Sequence, residues 1–279
     1  MKIIQALNNG YNILKSNNIY SYKIDAELLL SESLKISKEE LILNLDRILN
    51  SDDYKNFIYN IDRRKKREPI AYILRRKEFW KNEFYINKNV LIPRPETEHL
   101  IEETLKLIPK NKNCKLLEIG IGSGCLIISI LKDRKNCSAI GIDLCKKTIK
   151  IANINANLHQ VKNRIKILKT NVDNFKSGKY DLIVSNPPYI DKLKLKYLGV
   201  SEFEPLNALN GGFEGIEVLI KVVLKASQLL KVNGKLIVEI GENQKYKMKE
   251  ILKKNNFFIN KIVKDFSNND RCIISTKIQ

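Results

Sequence analysis

A turn at residues 186–189 (Asn-Pro-Pro-Tyr) carries the strongest chemical signal in this sequence. The residues before it, 182–184 (Leu-Ile-Val), are a short apolar run that is typical of a central parallel strand. Because neither proline has an N–H group, the turn ends the strand and holds the backbone extended. Asn186 is therefore expected at the carboxyl end of a strand, where open α/β sheets bind their ligands.

A rigid turn of this composition suits a planar group that carries an –NH2. The side-chain oxygen of Asn186 and the carbonyl oxygen of Pro187 can both accept hydrogen bonds from such a group. Tyr189 can stack against its plane. Taken alone, the tetrapeptide fits equally well a strand that ends in a Pro-Pro turn with a capping Asn, so the neighbouring motifs must decide.

A glycine-rich loop precedes this turn in the chain. Residues 115–119 predict a strand, and 120–124 (Gly-Ile-Gly-Ser-Gly) follow it and lead into an apolar helix. Glycines allow a tight turn and close backbone approach to a ligand at a helix N-terminus. The spacing differs from the G-x-G-x-x-G of dinucleotide sites and, with Glu118 before it, favours a nucleoside with an amino-acid tail. The predicted contacts are Gly120, Ile121, Gly122, Ser123 and Gly124.

Two further strand ends add contacts for the same nucleoside. Asp143 ends the strand predicted over 138–142, about 20 residues beyond the glycine loop, where a carboxylate can accept both ribose hydroxyls. A helix N-cap is the alternative role for Asp143. Asn171 and Val172 follow a third predicted strand. We expect Asn171 near an adenine amine and Val172 against a face of the ring.

Strands and helices alternate from residue 112 onward, which predicts an α/β fold with a doubly wound parallel sheet. Residues 257–259 and 271–275 are expected to add an antiparallel hairpin at its edge. Residues 1–68 predict a small helical domain, either for substrate docking or as a structural appendage. Residues 69–95 predict a β-hairpin linker with a turn signal at 87–89. The sheet domain then spans 96–279.

Composition sets limits on the class of protein. The chain has 279 residues, 43% hydrophobic and 29% charged, which is typical of a soluble globular protein. No apolar run approaches the ~20 residues of a membrane helix, and the N-terminus lacks a secretory signal. The five cysteines form no CxxC pair, which favours a reduced compartment and no metal site. We expect a cytoplasmic monomer.

The net charge of +19 is compatible with nucleic acid or an acidic partner. The abundance of Lys, Asn and Ile is also what an AT-rich coding sequence produces. The denser run at 63–67 (Arg-Arg-Lys-Lys-Arg) is either a solvated helix face or a contact for RNA or an acidic surface.

The glycine loop, Asp143 and the turn at 186–189 together resemble the class I S-adenosylmethionine-dependent methyltransferases with a Rossmann-like fold. Further segments extend the resemblance to the HemK/PrmC family, which methylates the glutamine side-chain nitrogen in the Gly-Gly-Gln motif of class 1 peptide chain release factors. These segments are 67–73 (Arg-Glu-Pro-Ile-Ala-Tyr-Ile), 78–80 (Glu-Phe-Trp), 91–98 (Leu-Ile-Pro-Arg-Pro-Glu-Thr-Glu), 186–190 and 203–205 (Phe-Glu-Pro).

The resemblance implies a division of the site between cofactor and substrate. S-adenosylmethionine is expected against 120–124, Asp143 and Asn186, with Glu118 near its methionine end. The substrate glutamine is expected against the turn, and the catalytic residues are expected to be Asn186, Pro187 and Tyr189, with Pro188 as a further substrate contact. Some family members have Asp-Trp where this chain has Asn171-Val172, so the adenine contacts differ there.

Two rival hypotheses remain at this stage. A DNA adenine-N6 methyltransferase shares Asn-Pro-Pro-Tyr and would use the positive charge, but no sizeable target-recognition region follows the sheet domain. A non-catalytic binding protein could keep the same fold. The intact glycine loop, Asp143 and Asn186 argue against that second hypothesis.

Overall fold

The computed structural model describes residues 1–197 and 202–278. Its contacts divide the chain into two compact units, Met1–Arg76 and Lys77–Gln279.

The first unit, in which every residue is described, is a bundle of five helices. They are α1 (Ile3–Ser16), α2 (Tyr22–Leu34), α3 (Lys38–Leu43), α4 (Ser51–Lys65) and α5 (Ile70–Leu74). Aliphatic side chains from α1, α2 and α4, with Phe57, form its core. The Ser37 hydroxyl caps α3 by accepting a hydrogen bond from the Glu40 amide at 3.1 Å. Asn50 caps α4 through the Asp53 amide at 2.7 Å.

A two-stranded hairpin, β1 (Arg76–Phe79) and β2 (Asn82–Tyr85), follows the bundle. It is shorter than the sequence pattern suggests, because residues 70–74 form helix α5. Its turn lies at Trp80 and Lys81, where Trp80 has φ of +57°. The signal at 87–89 marks a separate turn, closed by the Val90 amide and the Asn87 carbonyl at 3.1 Å.

The second unit carries, within its described residues, a seven-stranded sheet in the order β5-β4-β3-β6-β7-β9-β8. The elements are α6 (Glu98–Leu107), β3 (Cys114–Ile119), α7 (Cys125–Asp133), β4 (Cys137–Asp143), α8 (Lys146–Leu158), β5 (Ile165–Lys169), β6 (Tyr180–Ser185), α9 (Glu217–Leu229), β7 (Leu230–Glu239), α10 (Lys245–Lys254), β8 (Phe257–Lys264) and β9 (Asp270–Lys277). The strands from β5 to β7 pair in parallel, and β9 is antiparallel to both of its neighbours. The prediction of a doubly wound sheet with an edge hairpin is confirmed.

Both faces of the sheet are covered, which explains why its central strands are almost wholly apolar. Neighbouring residues on β3 point to opposite faces: Leu116 packs with α6, α7 and α8, and Leu117 packs with α9 and α10. Both side chains are fully buried, and each such burial contributes about 1.5–3 kcal/mol. The core therefore fixes the strand ends from which the site is built.

The strand order reverses direction at β3. From β3 the sheet extends through β4 to β5 on one side and through β6 to β7 on the other. Open α/β sheets bind ligands at the carboxyl ends of the strands beside such a switch point. The loops after β3 and β6 meet there.

Candidate active site

A cavity of about 230 Å³ lies at the carboxyl ends of β3, β4 and β6. It brings together most of the residues that the sequence singles out. Those that line it are Gly120, Ile121, Gly122, Ser123, Asp143, Val172, Asn186, Pro187 and Pro188. Gly124 and Tyr189 are not part of the lining.

The glycine loop presents backbone to this cavity. The amides of Gly120 and Ile121 both donate to the Ile142 carbonyl, at 2.9 and 3.0 Å, which ties the loop to the end of β4. Gly120 and Gly122 have φ of +78° and +55°, a conformation that side chains disfavour. A Cβ atom at either position would meet nothing within 4 Å. The glycines thus fix the loop's shape and leave open space beside it.

Two other glycines serve packing near the loop. Gly124 is the N-cap of α7 with φ of +81°, and a Cβ there would lie 2.8 Å from Ile128 Cδ1. At Gly141 on β4, a Cβ would lie 2.2 Å from Ile121 Cδ1. The Ile121 side chain therefore rests directly on the β4 backbone.

Asp143 connects the end of β4 to the glycine loop. Its Oδ2 accepts a hydrogen bond from the Gly122 amide at 3.2 Å, and its Oδ1 accepts one from the Cys145 amide at 2.9 Å. Burial raises the pKa of this carboxyl group, and the backbone hydrogen bonds act against that rise. Each oxygen keeps a lone pair, so the group can still accept two hydroxyl donors from the cavity.

Glu118 on β3 also lines the cavity. It is 2% exposed, and its Oε2 has no hydrogen-bond partner within the described structure. Burial raises the pKa of Glu118 well above its ordinary value. A buried carboxylate oxygen without a donor is destabilising. A cationic donor in the cavity, such as an ammonium group, would relieve that cost.

Val172 and Asn171 follow β5. Val172 lines the cavity, and its contact with an adenine ring stays a prediction. The Asn171 side chain instead caps the short 3-10 helix over Val172–Asn174, where its oxygen accepts from the Asp173 amide at 3.0 Å.

The turn after β6 is held by a chain of side-chain hydrogen bonds. The Asn186 Nδ2 donates to Thr97 Oγ1 at 2.9 Å, and the Thr97 hydroxyl donates to Glu239 Oε2 at 2.7 Å. The Tyr189 hydroxyl donates to the other oxygen of Glu239 at 3.1 Å. The Tyr189 ring packs on the core that includes α9 and α10. The turn thus presents Asn186 and two prolines to the cavity, while Tyr189 anchors it from behind.

Sequence reasoning missed the groups that support this turn. Besides Thr97 and Glu239, Gln244 holds it through Nε2, which donates to the carbonyls of Tyr189 and Gly215, both at 3.0 Å. An acidic residue that ends an apolar strand was the available signal for Glu239, as it was for Asp143. For Thr97 and Gln244 the sequence carries no comparable local pattern.

The segment 91–98 forms another wall of the cavity. Arg94 lines it and forms an ion pair with Glu204. The Glu204 side chain is 2% exposed and also accepts a hydrogen bond from the Ile92 amide at 3.1 Å. This pair fastens the loop after the turn, which contributes Pro205 and Ala208 to the lining.

Two residues of the basic run at 63–67 form ion pairs within the helical bundle. Arg63 binds Glu68 through two hydrogen bonds, at 2.8 and 2.5 Å. Arg64 binds the buried Asp25 at 2.6 Å. Residues 65–67 are exposed, so only part of the run faces solvent.

Neither a metal cluster nor a membrane span is found in the described part of the chain. No group of three or more His, Cys, Asp or Glu side chains there could hold a metal ion. No helix there is both long and apolar enough to cross a bilayer.

Comparison with known proteins agrees with this division into a helical unit and a sheet unit. The family described as PrmC N-terminal domain matches residues 5–74, and the methyltransferase small domain matches residues 98–203. Among solved structures, a methyltransferase from Pyrococcus furiosus aligns with a TM-score of 0.54 and 19% identity, covering 81% of this chain and 100% of that chain. The ribosomal protein L11 methylase from Lactobacillus delbrueckii aligns with a TM-score of 0.52 and 20% identity, covering 73% and 90%. At such identities the likeness concerns the fold.

Sequence relatives are more specific. The release factor glutamine methyltransferase of Fusobacterium nucleatum is 38% identical, over 98% of this chain and 78% of the relative. The enzyme of the same name from Clostridium acetobutylicum is 33% identical, over 99% of both chains. This chain therefore belongs to the release factor glutamine methyltransferase family.

Proposed function

We propose that this enzyme transfers a methyl group from S-adenosylmethionine to the side-chain amide nitrogen of the glutamine in the Gly-Gly-Gln motif of class 1 peptide chain release factors. Relatives at 31–38% identity over nearly the full chain carry the name release factor glutamine methyltransferase. The observation that carries the assignment to this site is the shared cavity, in which the glycine loop faces the Asn186 turn.

The cavity fits the methyl donor in four respects. Gly120 and Gly122 leave open space beside the backbone, and Asp143 can accept ribose hydroxyls. The unpartnered oxygen of Glu118 suits the donor's ammonium group. Val172 would cover the adenine. When bound, S-adenosylmethionine would supply a methyl group on a sulfonium; transfer breaks that C–S bond and leaves a neutral thioether, and the amide nitrogen loses one proton to solvent.

The turn supplies the orientation that the substrate lacks. An amide nitrogen is a poor nucleophile because its lone pair is delocalised. Since the Asn186 amide group donates to Thr97, its oxygen is the atom left for the substrate –NH2. With the Pro187 carbonyl it would hold both hydrogens and aim the lone pair. Such positioning contributes up to about 7–11 kcal/mol in well-aligned cases, and the acceptor oxygens also stabilise the nitrogen as it becomes positive.

The proposal also covers the role of Tyr189, the location and oligomeric state of the enzyme, and its basic run. Stacking of Tyr189 on the substrate plane stays a prediction, since the ring does not line the cavity. We also propose a cytoplasmic location, a monomeric state and a contact of the basic run at 63–67, of which residues 65–67 are exposed, with RNA or an acidic surface. The rival substrate, adenine in DNA, is not favoured, because the relatives at 31–38% identity are named for glutamine methylation.

Methyl transfer from labelled S-adenosylmethionine tests the substrate. Purified release factor, its variant with alanine in place of the Gly-Gly-Gln glutamine, and duplex DNA are compared side by side. We expect label on the intact factor alone. Label on DNA, or label that survives the glutamine change, would overturn the assignment while leaving the fold unaffected.

A further inference from the structure

We propose that Glu239 is a positioning residue for methyl transfer, which acts through Thr97 to determine which end of the Asn186 amide faces the cavity. The inference rests on the proposed function, because it gives a reason why Asn186 presents an oxygen to the substrate nitrogen. Glu239 itself is not part of the cavity lining.

The direction of the hydrogen bonds follows from the chemistry of the groups. An ionised carboxylate only accepts hydrogen bonds, so Thr97 and Tyr189 must donate to Glu239. Once its hydrogen points to Glu239, the Thr97 oxygen can only accept. The Asn186 side chain, 2.9 Å away, must therefore turn its –NH2 toward Thr97. Its oxygen is then directed away from Thr97 and is free for a substrate.

Burial makes this arrangement hard to replace. Glu239 is 1% exposed and Thr97 is 3% exposed, so solvent has little access to either group. Glu239 ends β7, which pairs with β6 just before the turn, so its carboxylate is held by the core. An unpaired polar group at such a site destabilises the fold. Glu239 and Thr97 are therefore held in their present hydrogen bonds.

Replacement of Glu239 by glutamine would remove the constraint. The glutamine –NH2 can donate to the Thr97 oxygen, and the Thr97 hydroxyl can then donate to the Asn186 oxygen. In that arrangement the Asn186 –NH2 turns toward the cavity and opposes the substrate –NH2, an orientation that the carboxylate of Glu239 excludes. Both groups would then be donors, so the substrate nitrogen would lose one acceptor and its alignment.

Protonation of Glu239 should have the same effect as that replacement. Burial raises the pKa of Glu239 to about 7, and the hydrogen bonds from Thr97 and Tyr189 lower it. Arg271 on β9 also lowers this pKa, and Glu96 before α6 raises it. Cys272 on β9 pairs with Glu239 across the sheet, and burial, followed by this carboxylate, raises the pKa of its thiol. The turnover number should fall as the pH drops through about 7, since the protonated acid can donate.

The test measures kcat and KM for release factor, together with the Kd of S-adenosylmethionine, for the wild type and matched variants. Glu239→Gln and Thr97→Val should lower kcat by up to about 100-fold, the effect that misalignment of a reacting group can have. The Kd of S-adenosylmethionine should change much less than kcat. Thr97→Ser keeps the hydroxyl and should restore most of the kcat that Thr97→Val loses.

Glu103→Gln is the matched control. Glu103 is also a buried glutamate, paired with Lys106 and Lys261 at 2.8 Å, and within the described residues it forms no hydrogen bond or ion pair with Asn186 or Thr97. It should keep wild-type kcat. The acid limb of the kcat profile near pH 7 should disappear in Glu239→Gln and persist in Glu103→Gln.

Failure of the inference is separable from failure of the proposed function. If the wild type does not methylate release factor, the function is wrong. If the wild type is active and Glu239→Gln, with an unchanged melting temperature, keeps full kcat or the acid limb, the inference is wrong. Should Glu239→Gln not fold, the Thr97 variants decide, since equal kcat for Thr97→Val and Thr97→Ser would overturn it.

Discussion

Glu118 on β3 and Glu239 on β7 are both buried glutamates near the carboxyl ends of parallel strands, with 2% and 1% of their surface exposed. Burial raises the pKa of both, to about 7 for Glu239 and well above the ordinary value for Glu118. They differ in their partners. Each oxygen of Glu239 accepts a hydroxyl hydrogen bond, whereas Oε2 of Glu118 has none within the described structure.

The difference indicates two uses of the same group. Glu118 faces the cavity, and its open oxygen leaves a cost that a bound cation can remove. Glu239 lies behind the turn, and its two satisfied oxygens fix protein groups in place. The first carboxylate should therefore govern the affinity for the methyl donor, and the second should govern the rate of transfer.

The largest effect is expected for Asn186→Ala, which removes the group that Glu239 is inferred to orient. Loss of one stabilising hydrogen-bond partner at a reacting centre lowers rate by about 10²–10³-fold. We expect a decrease of that size in kcat/KM for release factor, measured by labelled methyl transfer. In this background Glu239→Gln should have no additional effect, because the two residues act as a unit. Additive losses would separate Glu239 from Asn186 and break the comparison.

A smaller effect is expected for Glu118→Gln, and it should appear in the affinity for S-adenosylmethionine. A hydrogen bond to a charged group is worth about 1.5–3 kcal/mol, which corresponds to a roughly 10- to 150-fold weaker affinity for S-adenosylmethionine. Calorimetric titration measures it. Once the variant is saturated with S-adenosylmethionine, its kcat should change much less than that of Glu239→Gln. The two variants thus separate binding of the methyl donor from the rate of transfer.

In the absence of S-adenosylmethionine, Glu118→Gln should be more stable than the wild type. A carboxyl group whose pKa is raised on folding favours the folded state below its ordinary pKa of 4.5, and that contribution is lost as the pH rises through the folded value. Above pH 4.5 the wild type should therefore melt at a lower temperature than Glu118→Gln, and the difference should grow with pH. A variant that melts lower at neutral pH would mean that Glu118 is a structural group with a hidden partner.

The cavity that contains Glu118 could be predicted from the sequence, and the hydrogen-bond network around Glu239 could not. The glycine loop, Glu118, Asp143 and Asn186 are local patterns at predicted strand ends, so the cavity and these parts of its lining could be predicted. The network behind the turn could not, because Thr97 and Glu239 meet across 142 positions of the chain. That contact depends on how α6, which follows Thr97, packs against the sheet face that includes Ile237 of β7.

The position of the hairpin turn could not be predicted from local sequence preferences. Its turn was expected at 87–89, where asparagines favour turn conformations. The chain turns instead at Trp80, which adopts a positive φ that bulky residues rarely accept. Its backbone amide donates to Glu98 at 2.7 Å and its indole to Asp133 at 3.0 Å. Tertiary contacts thus outweigh the local preference.

The smallest effect is expected for Tyr189→Phe, which removes one of the two donors to Glu239 and keeps the ring. A hydrogen bond between protein groups contributes about 0.5–1.5 kcal/mol, so kcat should fall by roughly 2- to 12-fold. Because the Tyr189 hydrogen bond lowers the pKa of Glu239, its loss should move the acid limb of the kcat profile to higher pH. A profile of kcat against pH measures both effects.

A second substitution distinguishes this role from stacking on the substrate. Tyr189→Leu removes the ring as well as the hydroxyl. If the ring only anchors the turn from the core side, Tyr189→Leu should lower the melting temperature while the acid limb lies where Tyr189→Phe puts it. If the ring stacks on the glutamine amide, Tyr189→Leu should instead raise KM for release factor while Tyr189→Phe leaves KM unchanged. That second outcome would place the Tyr189 ring with the groups that bind the substrate, while its hydroxyl still donates to Glu239.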